Sequence, residues 1–344
     1  MTVCGTTRHD PEVHFQTGRD VAGLVLSVQW MPIPFYEERL VSQRMMVCVL
    51  SVCWLALSTT AMAETTLQAT FKKGQVQKQK MTQKQSMVMQ LPGQPAAKTE
   101  INQIMEMELT CDEVSAAGVA TLRQRLPRVR MSMVMPAPLN KKLEYDTNEP
   151  APTDPILQQI DKMMRPMIGV DWSMKCDSRG QISDVVMPPK ALDGLKGSPA
   201  AAFGGEMFSE AGLKQIAEQS GISLPDKPVK PGDKWTVPTE IKSPIGKMKM
   251  QREHTYLGPG DKSGMEKIEL RVKIDLEADP NSKLPVMVTL KSGSGSGDIL
   301  FDNQLGRIAR SRVKTTMEME IGAGAQTFQQ NITAEVTVED VSAE

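Results

Sequence analysis

Five clusters of methionines spaced two apart run through this chain: Met87/Met89, Met105/Met107, Met131/Met133/Met135, Met248/Met250 and Met317/Met319. Side chains two residues apart on a β-strand point to the same face, so each cluster lays flexible thioethers side by side on one surface. The pattern calls for strands with a soft apolar wall, suited to packing, to a greasy ligand or to a soft metal ion. Charged residues alternate with the methionines, as at Glu106, Glu108, Glu318 and Glu320. That alternation marks a sheet covered on one side only.

The chain's first 63 residues have a different character. Arg44 precedes an apolar run from Met45 to Leu57, followed by Ser58-Thr59-Thr60-Ala61-Met62-Ala63. A basic start, a short apolar stretch and an A-x-A site are the parts of a secretory signal at 44–63. The run is shorter than the roughly 20 apolar residues of a spanning helix. Cleavage between Ala63 and Glu64 is expected, giving an exported protein, periplasmic or secreted, with no transmembrane segment in its mature part. Cys53 follows Val52 in mid-run, the wrong setting for a lipoprotein cysteine. Residues 1–43 fit poorly ahead of a signal and read as an extension from a start codon assigned too early, or as disordered chain.

The mature part, 64–344, is long enough for a single domain with a sizeable core. It holds 36 basic and 36 acidic residues, and no polybasic run, which speaks against nucleic acid and against an anionic membrane surface. Twenty methionines against nine aromatic residues give methionine the large-apolar role. Cys111 and Cys176 remain, an even pair that an oxidising compartment allows to bridge and that reads equally as two buried thiols. The one histidine after Ala63 is His254, beside Glu253, and it reads as a solvated surface residue. A lone histidine removes multi-histidine metal sites and weakens any catalytic triad.

Along the chain, 71–91 is extended, with Met81, Met87, Met89 and Leu91 on one parity. Pro92-Gly93 breaks it, and Ile101, Met105, Met107 and Leu109 share the next face, predicting a long antiparallel hairpin. Two further runs follow at 119–126 and 129–135. Asp154 and Pro155 start an amphipathic helix whose Ile156, Leu157, Ile160, Met163, Met164 and Met167 should dock on the sheet as core. Runs at 170–176 and 181–187 form a hairpin about the turn at 177–180. A Gly/Ala/Pro-rich loop at 188–205 leads to a second helix at 206–219, with Met207, Leu213 and Ile216 inward. Strands are expected at 234–240, 246–257, 264–277, 285–292, 297–302, 306–321 and 326–340, with a glycine-rich kink or bulge at 292–297. The hairpins 74–114 and 306–341 read as a pseudo-repeat or as two similar units.

Other motifs have plain readings. In Ser292-Gly293-Ser294-Gly295-Ser296-Gly297 the lysine comes first and no helix follows, so it is not a phosphate cradle. The scattered aspartates lack calcium-loop spacing. Gly232-Asp233-Lys234-Trp235 is a turn delivering Trp235 into the core. Lys72, Lys73, Lys78, Lys80 and Lys84 read as the charged face of a solvated edge.

Several short motifs together carry a family resemblance: Phe71-Lys72-Lys73-Gly74, the Met-X-Met strands, Leu143-Glu144-Tyr145-Asp146, Ile168-Gly169, Ser178-Arg179-Gly180, Leu224-Pro225-Asp226-Lys227-Pro228-Val229 and Gly232-Asp233-Lys234-Trp235. In this order they resemble an uncharacterised family of exported, Met-rich bacterial β-proteins, a domain of unknown function, over nearly all of 64–344. The resemblance implies architecture and export and no chemistry. Long antiparallel strands with helices on one side also look like half-barrel lipoprotein carriers of the bacterial envelope, a likeness of fold that does not carry function.

The expectation is thus an α+β fold: a long twisted antiparallel sheet, curled or half-barrel-like, with two amphipathic helices. The leading functional reading is a non-enzymatic envelope protein without a cofactor. It binds an apolar, lipid-like ligand or an envelope partner on a face lined by Met81, Met87, Met89, Met105, Met107, Met131, Met133, Met135, Met248, Met250, Met317 and Met319. A Cu(I)- or Ag(I)-binding protein and a structural module using methionine only as core are the alternatives.

Overall fold

The computed structural model describes residues 64–189, 192, 209–243, 245–279, 286–323 and 326–342. The expected extension and signal at 1–63 and most of the loop before the second helix, Met207 included, lie outside the described residues. Among those described, twelve strands carry the fold. They are β1 (Val76–Gln90), β2 (Ala97–Val114), β3 (Ala120–Val134), β4 (Lys142–Asp146), β5 (Asp171–Cys176) and β6 (Ile182–Val186). After the helical interruption come β7 (Lys234–Ser243), β8 (Gly246–Pro259), β9 (Met265–Ala278), β10 (Val286–Asp302), β11 (Arg307–Ala323) and β12 (Gln326–Asp340). Two ten-residue helices, α1 (Pro155–Met164) and α2 (Glu210–Gln219), accompany them. The molecule is mainly β, so α+β describes it only loosely.

All the strands belong to one antiparallel sheet in the order β6-β5-β3-β2-β1-β12-β11-β10-β9-β8-β7, with β4 pairing β3 off this path. The chain's first and last strands meet in the middle, β1 on β12, so the two terminal hairpins lie side by side. β6 and β7 end the sheet, and α2 packs against both of them.

Alternation sets which residues face inward, and bulges set where the strands bend. β3 runs unbroken through Leu126-Pro127, where two separate runs were expected. Its register against β2 slips between the Glu106–Arg128 and Glu108–Arg125 pairs, and Pro127, which has no N–H to donate, occupies the irregularity. β10 likewise crosses the glycine–serine run as one strand, with irregularities at Leu290/Ser292 and Leu300/Phe301. Its alternate glycines are required by close approach. A Cβ at Gly297 would stand 2.2 Å from the Arg312 carbonyl oxygen, and one at Gly293 2.8 Å from that of Ile274. β4 is a strand that the sequence pattern missed.

The lysine face of β1 is not an edge, because β1 is paired on both sides; this corrects the expectation, and Lys80 there meets Glu339 at 3.4 Å. α1 begins as expected, with the Asp154 carboxylate accepting from the Ile156 and Leu157 amides. Its apolar residues are half-buried rather than core, and Tyr145 of β4 donates to Asp161 on its flank.

The interior holds two main clusters. One gathers Leu67, Leu224, Val229, Tyr256, Ile268 and Phe301; the other Cys111, Leu122, Met174, Cys176 and Val185. Phe71 touches both. The segment 64–71 ties them together: Thr65 pairs with Val229, the Ala69 amide donates to the Ser178 carbonyl, and that of Thr70 to Gly306.

Candidate functional site: the methionine face

Register places every Met-X-Met cluster on the same side of the sheet. Met81 of β1 stands opposite Met105 of β2, and Gln79 opposite Met107. Across β3, Gln103 faces Met131 and Ile101 faces Met133; beyond them Met131 faces Tyr145 and Met133 faces Leu143. In the other direction Met87 pairs with Ile332, which pairs with Met317, and Met89 reaches Met319 through Gln330. Met248 and Met250 face Leu276 and Ile274. Because residues directly opposite share a face, this side also carries the buried Leu143, Tyr145, Ile268 and Tyr256. Met135 lies just past β3, its amide donating to the Lys141 carbonyl.

All twelve methionines are half-buried. A filled core would bury them fully, as it does Met174 and Met187, and a solvated surface would expose them, as it does Met287. Met248, Met250 and Met317 gather with Leu290 and Val313 around a third small cluster, Leu270, Val272 and Ile274. Three glycines, Gly293, Gly295 and Gly297, sit on this face between β9 and β11, where they remove side chains from its middle. The result is a surface of pliable methionine and aliphatic side chains interleaved with glutamines, among them Gln79, Gln83, Gln103 and Gln330.

The opposite face is ionic. Arg123 and Arg125 share Asp171, Arg128 pairs Asp146, and Arg130 reaches Glu106. The Arg128 guanidinium holds the Asp146 carboxyl below its ordinary range. Two open hollows of about 410 and 470 Å³ lie mostly on this side, share Asn102 and Ser132, and have mixed charge. Neither is a methionine-lined pocket.

His254 is corrected most sharply. It is only 3% exposed, stacked on Trp235 with ring centroids 5.0 Å apart, and aligned on one face with Met250, Arg252 and Tyr256. Burial and the neighbouring Arg252 push its pKa down to about 4, so the ring is neutral at pH 7. Strand parity carried this signal: counting in twos from Met248 and Met250 reaches Arg252 and His254. Trp235 packs partly buried as expected, its indole N–H donating to the Ser223 carbonyl at 2.7 Å.

The cysteines do not bridge. Both are free and buried, and β3 runs between them, with Cys111 opposite Leu122 and Cys176 opposite Ala120. Two strand spacings are roughly 9–10 Å, beyond the reach of a disulfide. Burial raises both thiols, Cys176 to about 12, which leaves them protonated and inert.

Among the described residues no three His, Cys, Asp or Glu side chains converge as a metal-ligand group, and no helix is long and apolar enough to cross a membrane.

Residues 119–308 match the model of a family of unknown function, DUF6263. No curated protein matches the sequence. Among solved structures, one of lipid–protein interactions in lipovitellin aligns over 78% of this chain at 14% identity and a TM-score of 0.45. The chain spans 25% of that protein's length. The crystal structure of OccK7 (OpdD) from Pseudomonas aeruginosa aligns over 78% of this chain and all of its own, at 5% identity and a TM-score of 0.19. At such scores neither likeness bears on function.

Proposed function

The chain belongs to the family of unknown function DUF6263, whose model spans more than half of it, and we propose that it is an exported, non-enzymatic protein that binds an apolar, lipid-like ligand on its methionine face. The observation that carries this reading is the common register of the clusters. Eleven methionines from five strands, each half-buried, share one side of one sheet, and the half-buried Met135 follows just past β3. Thioether side chains adapt to variable alkyl shapes, and burying half-exposed apolar area contributes about 25 cal/mol per Å². Apolar side chains clustered at a surface in this way mark an interaction site. Export rests on the basic, apolar and A-x-A elements at 44–63.

The test is native mass spectrometry and solvent extraction of the protein isolated from the envelope of its own host, with a fluorescent fatty acid titrated into the stripped protein. A co-purifying lipid and saturable probe binding are expected. A bare chain that leaves the probe in solution overturns the reading and leaves a structural module.

One observation favours a second reading. Met81 and Met105 are direct cross-strand partners, and Met107 follows on the same face. Three thioethers so placed suit Cu(I). Competition against a chromogenic Cu(I) chelator tests it; failure to withdraw copper at equimolar chelator rejects it.

A further inference from the structure

At one border of the methionine face lies a positive charge that has no counter-ion among the described residues. Arg252 follows Met250 in the inward series of β8 and is flanked by Val237 of β7 and Val272 of β9. Its Nη2 donates to the Gln219 carbonyl at the end of α2, at 3.1 Å, and to the Thr239 hydroxyl at 3.2 Å. Both acceptors are neutral. A helix C-terminus supplies only about half a negative charge, and a half-buried guanidinium without a carboxylate is costly.

The nearby carboxylates are engaged elsewhere. Glu240 pairs with Lys247 and Glu253 with Lys234, on the opposite face, while Glu266 accepts from the Tyr256 hydroxyl at 2.6 Å. Three polar atoms around Arg252 are buried and unpartnered: its own Nε, Nδ1 of His254 and Oε1 of Gln219. His254 is 97% buried, being 3% exposed. Such orphaned groups are rare in folded proteins and call for a partner.

We propose that Arg252, with His254 beside it, anchors the carboxylate head of an amphipathic ligand whose alkyl chain lies over Met250, Met248 and Met317. This rests on the methionine-face reading and adds a head-group class and a direction to it. With His254 neutral the site has a single positive charge, which matches a monoanion. A guanidinium fork also fits a carboxylate's two oxygens.

The closing experiment titrates the mature protein with a fluorescent C18 fatty acid, its methyl ester and acetate. The acid is expected to bind at least about tenfold tighter than the ester, the size of one charge-assisted hydrogen bond. Arg252→Gln should erase that preference while leaving ester affinity in place. Acid and ester binding equally would overturn the anchor and leave the methionine-face reading standing. Neither binding overturns both. Acetate binding as tightly as the acid makes this a small-anion site and overturns the link to the face. Should Arg252→Gln fail to fold, the acid–ester comparison in the wild-type protein still decides.

Discussion

Trp235 and His254 stack across the β7–β8 ladder, ring centroids 5.0 Å apart and planes 7° from parallel. The stack seals an imidazole into the interior where it stays neutral, and that has a consequence for stability. In the unfolded chain His254 takes up a proton near pH 6.5, whereas in the fold it resists to about pH 4. Between those values the unfolded state binds more protons, so stability falls as pH falls. The contribution is complete above about pH 6.5 and is gone below about pH 4, and its size is about 3 kcal/mol. Urea midpoints measured from pH 7 to 4 should drop in the wild type and flatten in His254→Phe. Parallel curves for the two proteins would assign the acid sensitivity to other groups.

Half-burial sets the methionines apart from the core residues, and a pair of variants tests whether they form the proposed binding face. Phe301 has no exposed surface, so Phe301→Ala should cost about 3–5 kcal/mol. Met81 and Met105 are half-buried partners, and Met81→Gln with Met105→Gln should cost about 1 kcal/mol or less each. The double methionine variant should nevertheless weaken fatty-acid probe binding several-fold. If it unfolds as readily as Phe301→Ala, those methionines are core and the binding face is mislocated.

The two thiols give a simple count. Cys111 and Cys176 are free, buried and held protonated by desolvation. The folded mature protein should therefore react with a thiol reagent only slowly, and the denatured protein should yield two thiols without any reductant. Zero thiols before reduction would mean that the strands bearing them rearrange to bring them together.

Strand alternation made much of this architecture legible in the sequence. The Met-X-Met parity located β1, β2, β8 and β11 within a few residues and named the side they share, because burial on one face enforces a period of two. What it concealed was long-range. Nothing local says that β1 pairs with β12, so the lysines at 78, 80 and 84 looked like an edge when they lie mid-sheet. Pro127 and the glycines of β10 broke runs that the structure carries through, since bulges interrupt a pattern without ending a strand. The Arg252–His254 pair was hidden by reading His254 with its neighbour Glu253, when the side chains it meets are two residues away and on other strands.

The glycines of β10 offer the sharpest test of how this face is built. Gly293, Gly295 and Gly297 occupy inward positions where neighbouring strands approach closely, and none of the three has a positive φ. Space rather than backbone conformation therefore demands glycine there. Gly297→Ala would press a methyl group to 2.2 Å from the Arg312 carbonyl oxygen, against main chain that cannot swing aside. The β10–β11 ladder must shift, at a cost of about 1–3 kcal/mol. Gly322, on β11, makes the control, because the nearest atom to its Cβ position is 3.8 Å away at the Met287 carbonyl. Gly322→Ala should be close to neutral, within about 0.5 kcal/mol. Thermal midpoints of both variants settle the matter: equal shifts would show that the glycines are not there for close approach.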